Sequence, residues 1–289
     1  MAYSLSVSSA CKHFSVIAMP LEFVFFPERK YMANLDSLIE DLVAANRILA
    51  AEGIVDAFGH VSARHPEESG RFLLSRAKSP ELVERGDIME FTLDGEATDF
   101  ADGKPYLERF IHAALYQTRP EIQSVVHSHS HGPIPFGLTG EKLRPVVHSC
   151  ATLGGEVPVW DAQTSFGDTD LLVSDMAMGL DMARAVGAGN CVLMRGHGAT
   201  VVGKSIREAV YTAIYLEVNA ELQLKAGRLG KTIFLSPGEI EKINARLGLA
   251  KPGEGFNRSW EYWCRRVGIN PNVGRDRAMG FRSEFEERS

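Results

Sequence analysis

Val125-Val126-His127-Ser128-His129 is the stretch on which the fold turns. It closes Ile122–His127, a run set off by Arg119-Pro120 that reads as a buried strand. Residues i and i+2 of a strand share a face, so His127 and His129 aim two imidazoles at one point. His131 would continue that face, but Gly132-Pro133 turns the chain there, and it ranks below the other two. Taken alone, an HxH strand end is equally readable as a polar strand terminus at the surface.

Working outward, Cys191–Met194 and Ala199–Val202 are two further strand runs, joined by Arg195-Gly196-His197-Gly198. Glycines on both sides of His197 allow a tight turn and close approach of other groups, so a third imidazole can meet the HxH pair. A plain hairpin turn is better served by Asn-Gly or Asp-Gly. Upstream, a helix over Leu107–Thr118 carries Glu108, Arg109 and His112. Glu108 and His112 are i and i+4 and share a helical face. In isolation that is a surface Glu–His pair; beside an HxH strand, Glu108 becomes a metal ligand or an acid/base. Three neutral imidazoles leave a coordination position open, the arrangement of a catalytic site. Nitrogen and oxygen ligands suit Zn, Mn, Fe or Co alike.

The remaining pattern supplies a frame. Apolar positions from Leu35 to Leu49 recur at helical spacing until Gly53. Val61–Arg64, Arg71–Ser75, Ile88–Leu93 and Val157–Trp160 read as short strands, and Thr169–Val186 as a helix capped by Asp168 or Thr169. Ser205 opens a long helix to about Gly227, with Glu208 at capping-box spacing. Shorter helices follow near Ser236–Leu247 and Asn257–Val267, before a charged tail. Strands and helices mix without a βαβ rhythm, which predicts an α/β three-layer sandwich with a mainly antiparallel central sheet flanked by helices. Three segments are expected: 1–33 as an N-terminal extension or docking arm, 34–235 as the catalytic domain, and 236–289 as C-terminal helices and tail.

Composition excludes several classes. The 289 residues carry 31 basic and 37 acidic side chains, a net charge of −6, against a phosphate-tracking nucleic-acid binder. No apolar run reaches the roughly 18 residues of a membrane span. No GxGxxG or GxxxxGK[ST] follows a strand, so nucleotide loops are absent. Cys11, Cys150, Cys191 and Cys264 are widely spaced and read as reduced thiols of a cytoplasmic protein.

Gly59-His60-Val61-Ser62, a Glu four residues before His on a helix, the HxH strand and the Arg195-Gly196-His197-Gly198 turn before a long helix together resemble the class II aldolase/adducin family. The likeness runs from about Leu35 to Lys225. It implies that His127, His129 and His197 bind a divalent metal, that Glu108 is a ligand or catalytic acid/base, and that the chain forms homotetramers with sites at subunit interfaces. Adducin-type members lacking the metal histidines are not catalytic; this chain keeps all three, which counts against a non-catalytic interaction module. Family sugar-phosphate aldolases typically have Gly-Asn before Val-Ser and a Thr-Pro-Ser-Gly type phosphate loop. Here the Asn is His60, and the loop reads Leu74-Ser75-Arg76-Ala77-Lys78-Ser79.

The wording Asp56-Ala57-Phe58-Gly59-His60-Val61-Ser62 and Tyr106-Leu107-Glu108-Arg109-Phe110-Ile111-His112 is similar to the decarboxylase branch, whose examples act on 3-hydroxy-2-methylpyridine-4,5-dicarboxylate and dihydroxyphthalate-like acids. The expected substrate is a small aromatic carboxylate. Decarboxylation and retro-aldol cleavage both leave electrons in an enolate-like system that a metal stabilises. Glu108, then His148, are the candidates for proton transfer; Arg76, Lys78 and Arg109 for holding a carboxylate; His60 for lining the substrate site; and Tyr215, on the long C-terminal helix, for reaching the substrate site of a neighbouring subunit or, equally, for core packing. The rival readings are an aldolase acting on a non-phosphorylated hydroxy-carbonyl compound and an adducin-like module.

Overall fold

The computed structural model describes residues 35–98, 103–248 and 254–272. The N-terminal extension, Cys11 and the charged tail lie outside the described residues. Strands β1 (His60–Arg64), β2 (Arg71–Ser75) and β3 (Ile88–Thr92) form an antiparallel meander. β4 (Ser124–Ser128) lies antiparallel between β1 and β7 (Gly198–Gly203). β6 (Cys191–Met194) pairs antiparallel with β7, and β5 (Val159–Trp160) runs parallel to β6 at the edge. The spatial order is β3-β2-β1-β4-β7-β6-β5, the mainly antiparallel sheet that the pattern predicts. The helices are α1 (Leu35–Ala51), α2 (Arg109–Thr118), α3 (Ile134–Leu138), α4 (Ala162–Phe166), α5 (Met176–Val186), α6 (Ile206–Leu229), α7 (Pro237–Gly248) and α8 (Asn257–Arg266). Among the described residues no helix is long and apolar enough to cross a membrane.

Strand alternation divides the interior in two. Val61, Ala63, Val126, Ala199 and Val201 face a core shared with Leu42, Ile48 and Leu49 of α1, Val210 and Leu216 of α6, and Trp260 and Trp263 of α8. Their neighbours Phe72, Leu74, Val125, Val192 and Val202 face a second core with Ile111 and Leu115 of α2 and Met178 and Met182 of α5. Each large aliphatic side chain fully buried this way contributes about 1.5–3 kcal/mol before conformational entropy is counted. Because the period is two, His60, Ser62, His127 and Thr200 fall on the second face, in register across β1, β4 and β7: His60 opposes His127, and His127 opposes Thr200.

Two features of chain geometry place His197. Gly196, at φ +68, makes the turn out of β6. Gly198 lets β7 close on β4: a Cβ there would stand 2.1 Å from the Ser128 carbonyl oxygen and 3.1 Å from His129 Cδ2. Gly198→Ala is therefore expected to cost about 1–3 kcal/mol, the range of an overpacked interior, and to spread His197 from the HxH pair. Urea unfolding and metal titration measure the two effects, and a variant matching the parent in both would refute the close-approach requirement.

Local expectations are corrected in three places, the first being the helix expected over Leu107–Thr118, which starts at Arg109 and leaves Glu108 outside it as the N-cap. The helix expected over Thr169–Val186 starts at Met176, with Asp175 accepting from the Met178 N–H as its cap. Leu171 sits at φ 67, a left-handed backbone that a right-handed helix cannot contain, and the surrounding loop serves the site described below. The strand expected at Val157–Trp160 shortens to Val159–Trp160, because the Val157 N–H is drawn to the Leu143 carbonyl. The capping expectation at α6 is met in its first half: Ser205 Oγ accepts from the Glu208 N–H, while the Glu208 carboxylate accepts from the Lys204 N–H rather than from that of Ser205.

Candidate metal centre

His127 is the last side chain but one of β4, His129 lies one residue past the strand, and His197 is at the β6–β7 turn. Glu108 is the N-cap residue of α2. The three elements converge: His129 Nε2 is 3.1 Å from His127 Nε2 and 3.0 Å from His197 Nε2. Glu108 Oε2 is 3.6 Å from His127 Nε2 and 3.5 Å from His197 Nε2. One ligand atom from each residue lies within 4.8 Å of all the others.

The remaining ring nitrogens show what this arrangement is suited to hold. His197 Nδ1–H donates to the Leu171 carbonyl at 2.8 Å, and His129 Nδ1–H to the Asp56 carboxylate at 3.2 Å. Both partners only accept, so each ring in its neutral form carries its lone pair on Nε2. Two lone pairs 3.0 Å apart repel unless a cation sits between them. Nitrogen ligands about 2.0–2.1 Å from a single divalent ion stand roughly 3 Å apart, which matches this spacing. The donor set fits a divalent metal.

Electrostatics agrees. Burial, helped by the neighbouring imidazoles and only partly opposed by Glu108, pushes His127 down to about 3, so its imidazole is neutral at physiological pH. Burial would raise Glu108, but His127, the hydrogen bond and charge of His197 and the Val173 N–H outweigh it and bring the carboxyl to about 2. At His197 burial lowers the pKa, yet Glu108 and the Leu171 carbonyl prevail and raise it. Glu108 is thus an ionised acceptor in the metal-free protein.

The other candidates fare unequally. His60 and His112 are buried directly behind the cluster, His60 Nδ1 2.7 Å from His112 Nε2. His131 and His148 are exposed, and His148 opens the 3-10 turn His148–Leu153, apart from the cluster. Tyr215 packs its ring 4.3 Å from Tyr211 against the core on the other face of the sheet. Arg109 is committed to carbonyls, its Nε donating to Gly95 and its Nη1 to Tyr106.

Arg76 and Lys78 both grip Asp87, at 2.6 and 2.7 Å, rather than standing free for a substrate carboxylate. Burial opposes the Asp87 charge, but Lys78, the Glu84 N–H and Arg76 prevail and hold its pKa at about 2. Against an unfolded value of about 3.9, this stabilisation is complete above about pH 4 and lost as pH falls toward 2. Asp87→Asn is expected to unfold more readily than the parent at neutral pH, with the gap closing in acid. A gap independent of pH in urea titrations would overturn this.

Sequence reasoning missed three contributors. Asp56 orients His129, and its carboxylate is itself fixed by the N–H groups of Phe58 and Gly59. The Asp-x-x-Gly spacing was the available signal for that turn. The Leu171 carbonyl and the Val173 N–H, which donates to Glu108 Oε1 at 3.1 Å, are backbone groups and leave no side-chain signature.

Comparison with known proteins adds a separate line. A family model described as Class II Aldolase and Adducin N-terminal domain matches residues 40–224. The chain is 36% identical over 248 residues to the decarboxylase tropJ of Talaromyces stipitatus, covering 79% of this chain and 93% of that protein. It is 33% identical over 242 residues to a 3,4-dihydroxyphthalate decarboxylase of a Terrabacter species, covering 78% of this chain and 94% of that one. Among solved structures, an L-fuculose 1-phosphate aldolase from Glaciozyma antarctica superimposes with a TM-score of 0.65 at 25% identity, over 81% of this chain and 89% of that one.

Proposed function

The chain belongs to the class II aldolase and adducin family, and from that premise we propose that it is a metal-dependent carbon–carbon lyase that decarboxylates a hydroxylated aromatic or heteroaromatic acid. The observation that carries the reading is the convergence of three imidazole Nε2 atoms and one carboxylate within 4.8 Å. The names of its decarboxylase relatives support the reaction, and their extent along the chain supports 34–235 as the catalytic unit.

His127, His129 and His197, with Glu108, would hold a divalent ion (Mn, Zn, Fe or Co). When bound, the ion supplies a Lewis acid beside the oxygen onto which charge moves as the carbon–carbon bond breaks. Glu108, ionised and buried, accepts the proton of the substrate hydroxyl. The bond from ring carbon to carboxylate then breaks, CO2 leaves, and its electron pair stays on the ring carbon. Glu108 returns its proton to that carbon, and the ring oxygen regains one from solvent. Asp56 and the Leu171 carbonyl keep the His129 and His197 rings aimed throughout.

A second reading, cleavage of a non-phosphorylated hydroxy-carbonyl compound, is favoured by the superposition on the aldolase. An adducin-like module has no use for an intact donor set. Purified protein is expected to bind about one divalent ion per chain and to release CO2 from an ortho-hydroxy aromatic acid. Aldehyde from hydroxy-carbonyl compounds without CO2 from any aromatic acid selects the aldolase; metal-free, inactive protein selects the module.

A further inference from the structure

Behind the metal centre runs a buried polar chain that holding an ion does not require. Tyr116 Oη lies 2.8 Å from Ser62 Oγ, Ser62 Oγ lies 2.6 Å from His112 Nδ1, and His112 Nε2 lies 2.7 Å from His60 Nδ1. All four side chains are 0–1% exposed. At the near end the His60 ring stands 5.1 Å from the His127 ring and 4.4 Å from that of Tyr106. A Ser and a His on β1 and a His and a Tyr on α2 are thus spent on one line of hydrogen bonds, in an interior where an unmatched polar group is costly.

Which way the line points follows from its far end. Among the described residues the Tyr116 hydroxyl has Ser62 Oγ as its one side-chain partner, and the backbone group that approaches its oxygen is the N–H of Val125, itself a donor. The phenol proton therefore has one place to go, and Tyr116 donates to Ser62. Ser62, accepting from Tyr116, gives its single proton to His112 Nδ1. His112 then carries its own proton on Nε2 and donates to His60 Nδ1, which leaves the His60 proton on Nε2. The opposite order would strand the Tyr116 proton without an acceptor in a sealed interior. A cationic His112 would donate from both nitrogens, and Ser62, accepting from Tyr116 as well, would have no acceptor for its own proton; a cationic His60 would aim its Nδ1–H at the His112 Nε2–H.

The one hydrogen bond of His60 to a described residue runs through Nδ1, which leaves Nε2 without a partner among them. The ring itself lies between those of His127 and Tyr106. It presents an N–H next to a centre built to receive an anionic substrate.

We propose that Tyr116, Ser62 and His112 lock His60 in its Nε2–H tautomer, so that His60 is a neutral hydrogen-bond donor to the substrate oxygen on which charge builds during carbon–carbon cleavage. This rests on the lyase reading above and assigns His60 as a catalytic residue, with the other three as positioning residues. His60 is not a base, because its Nδ1 lone pair is occupied and Nε2 carries the proton. Nor does the line feed protons into the reaction, because burial raises the Tyr116 phenol far above its ordinary value and makes it a poor source. A fixed N–H donor, already oriented when the charge develops, pays no reorganisation during the step.

Imidazole nitrogen NMR on ring-labelled, metal-free protein reports the tautomer directly, with the His60 signals assigned by their loss in His60→Gln. The expected result is Nε2–H for both His60 and His112. Tyr116→Phe should turn His60 into a mixture of tautomers and lower kcat about tenfold, with KM and metal content unchanged. His60→Leu should lower kcat about a hundredfold, again with metal retained, and His60→Gln, which keeps an N–H donor, should recover part of the loss. Finding His60 as Nδ1–H or as a cation, or a Tyr116→Phe protein with parental tautomer and kcat, would overturn the proposal. Because the tautomer is read without substrate, failure of the lyase reading shows separately as a parent protein without turnover, and removes the substrate-donor role with it.

Discussion

Replacing His197 by alanine is expected to abolish stoichiometric binding of a divalent ion, and turnover with it. The side chain supplies one of three converging Nε2 atoms, 3.0 Å from His129 and 3.5 Å from Glu108. Its loss leaves two imidazoles on one side of the site and opens the other. Loss of a partner that merely orients a ligand costs about 10–100-fold in affinity or activity, so removal of the ligand itself should exceed a hundredfold. The fold should survive: the Leu171 carbonyl loses its donor, a matter of about 1 kcal/mol, and His197 is in any case not part of either apolar core. Metal analysis together with thermal unfolding separates these effects. His131→Ala is the control, since His131 is exposed and outside the cluster and its loss should spare the metal. A folded His197→Ala protein that retained one ion per chain would remove His197 from the ligand set.

The second large effect is expected at Glu108→Gln. The substitution keeps the shape of the side chain and an oxygen to accept the Val173 N–H, so the loop before α5 stays anchored. What disappears is a charge that survives burial only because His127, His197 and the Val173 N–H support it. A glutamine cannot take the substrate proton or return it to the ring carbon, and such proton transfer is worth about 10²–10⁴ in rate. A fall of that size in kcat at saturating metal, with the ion still bound, supports the proton-transfer role. Parental kcat at saturating metal, with weakened metal affinity alone, would leave Glu108 as a ligand and end its role as a proton carrier. The reciprocal dependence between Glu108 and His197, each shifting the other's pKa, means that the two single variants should not add.

The contacts made by the other candidate side chains share a physical cause. Arg76, Lys78 and Arg109 are cations whose charge was legible, but a charge says nothing of which partner claims it. Asp87 and two backbone carbonyls claim them here, through contacts between β2, the β3 approach and the start of α2. His148 and Tyr215 stand apart from the cluster of their own chain.

What the sequence by itself determined is periodic. Strand alternation aims His127 and His129 at one point, and the helix expected over Leu107–Thr118 carries Glu108 and His112, with α2 itself starting at Arg109. Glycines around His197 mark a turn that brings it near, and the mainly antiparallel sheet follows from the same pattern. Only the tertiary structure decided which groups complete and orient the centre. The Leu171 carbonyl, the Val173 N–H and the Asp56 carboxylate come from loops that meet His197, Glu108 and His129 across long sequence separations. The direction of the Tyr116–Ser62–His112–His60 line likewise depends on which acceptors lie within hydrogen-bond distance. Side-chain periodicity is a local property of the backbone and is written into residue order. Hydrogen-bond partners of backbone groups and buried rings are a property of the packed interior, where every donor has to find an acceptor at once.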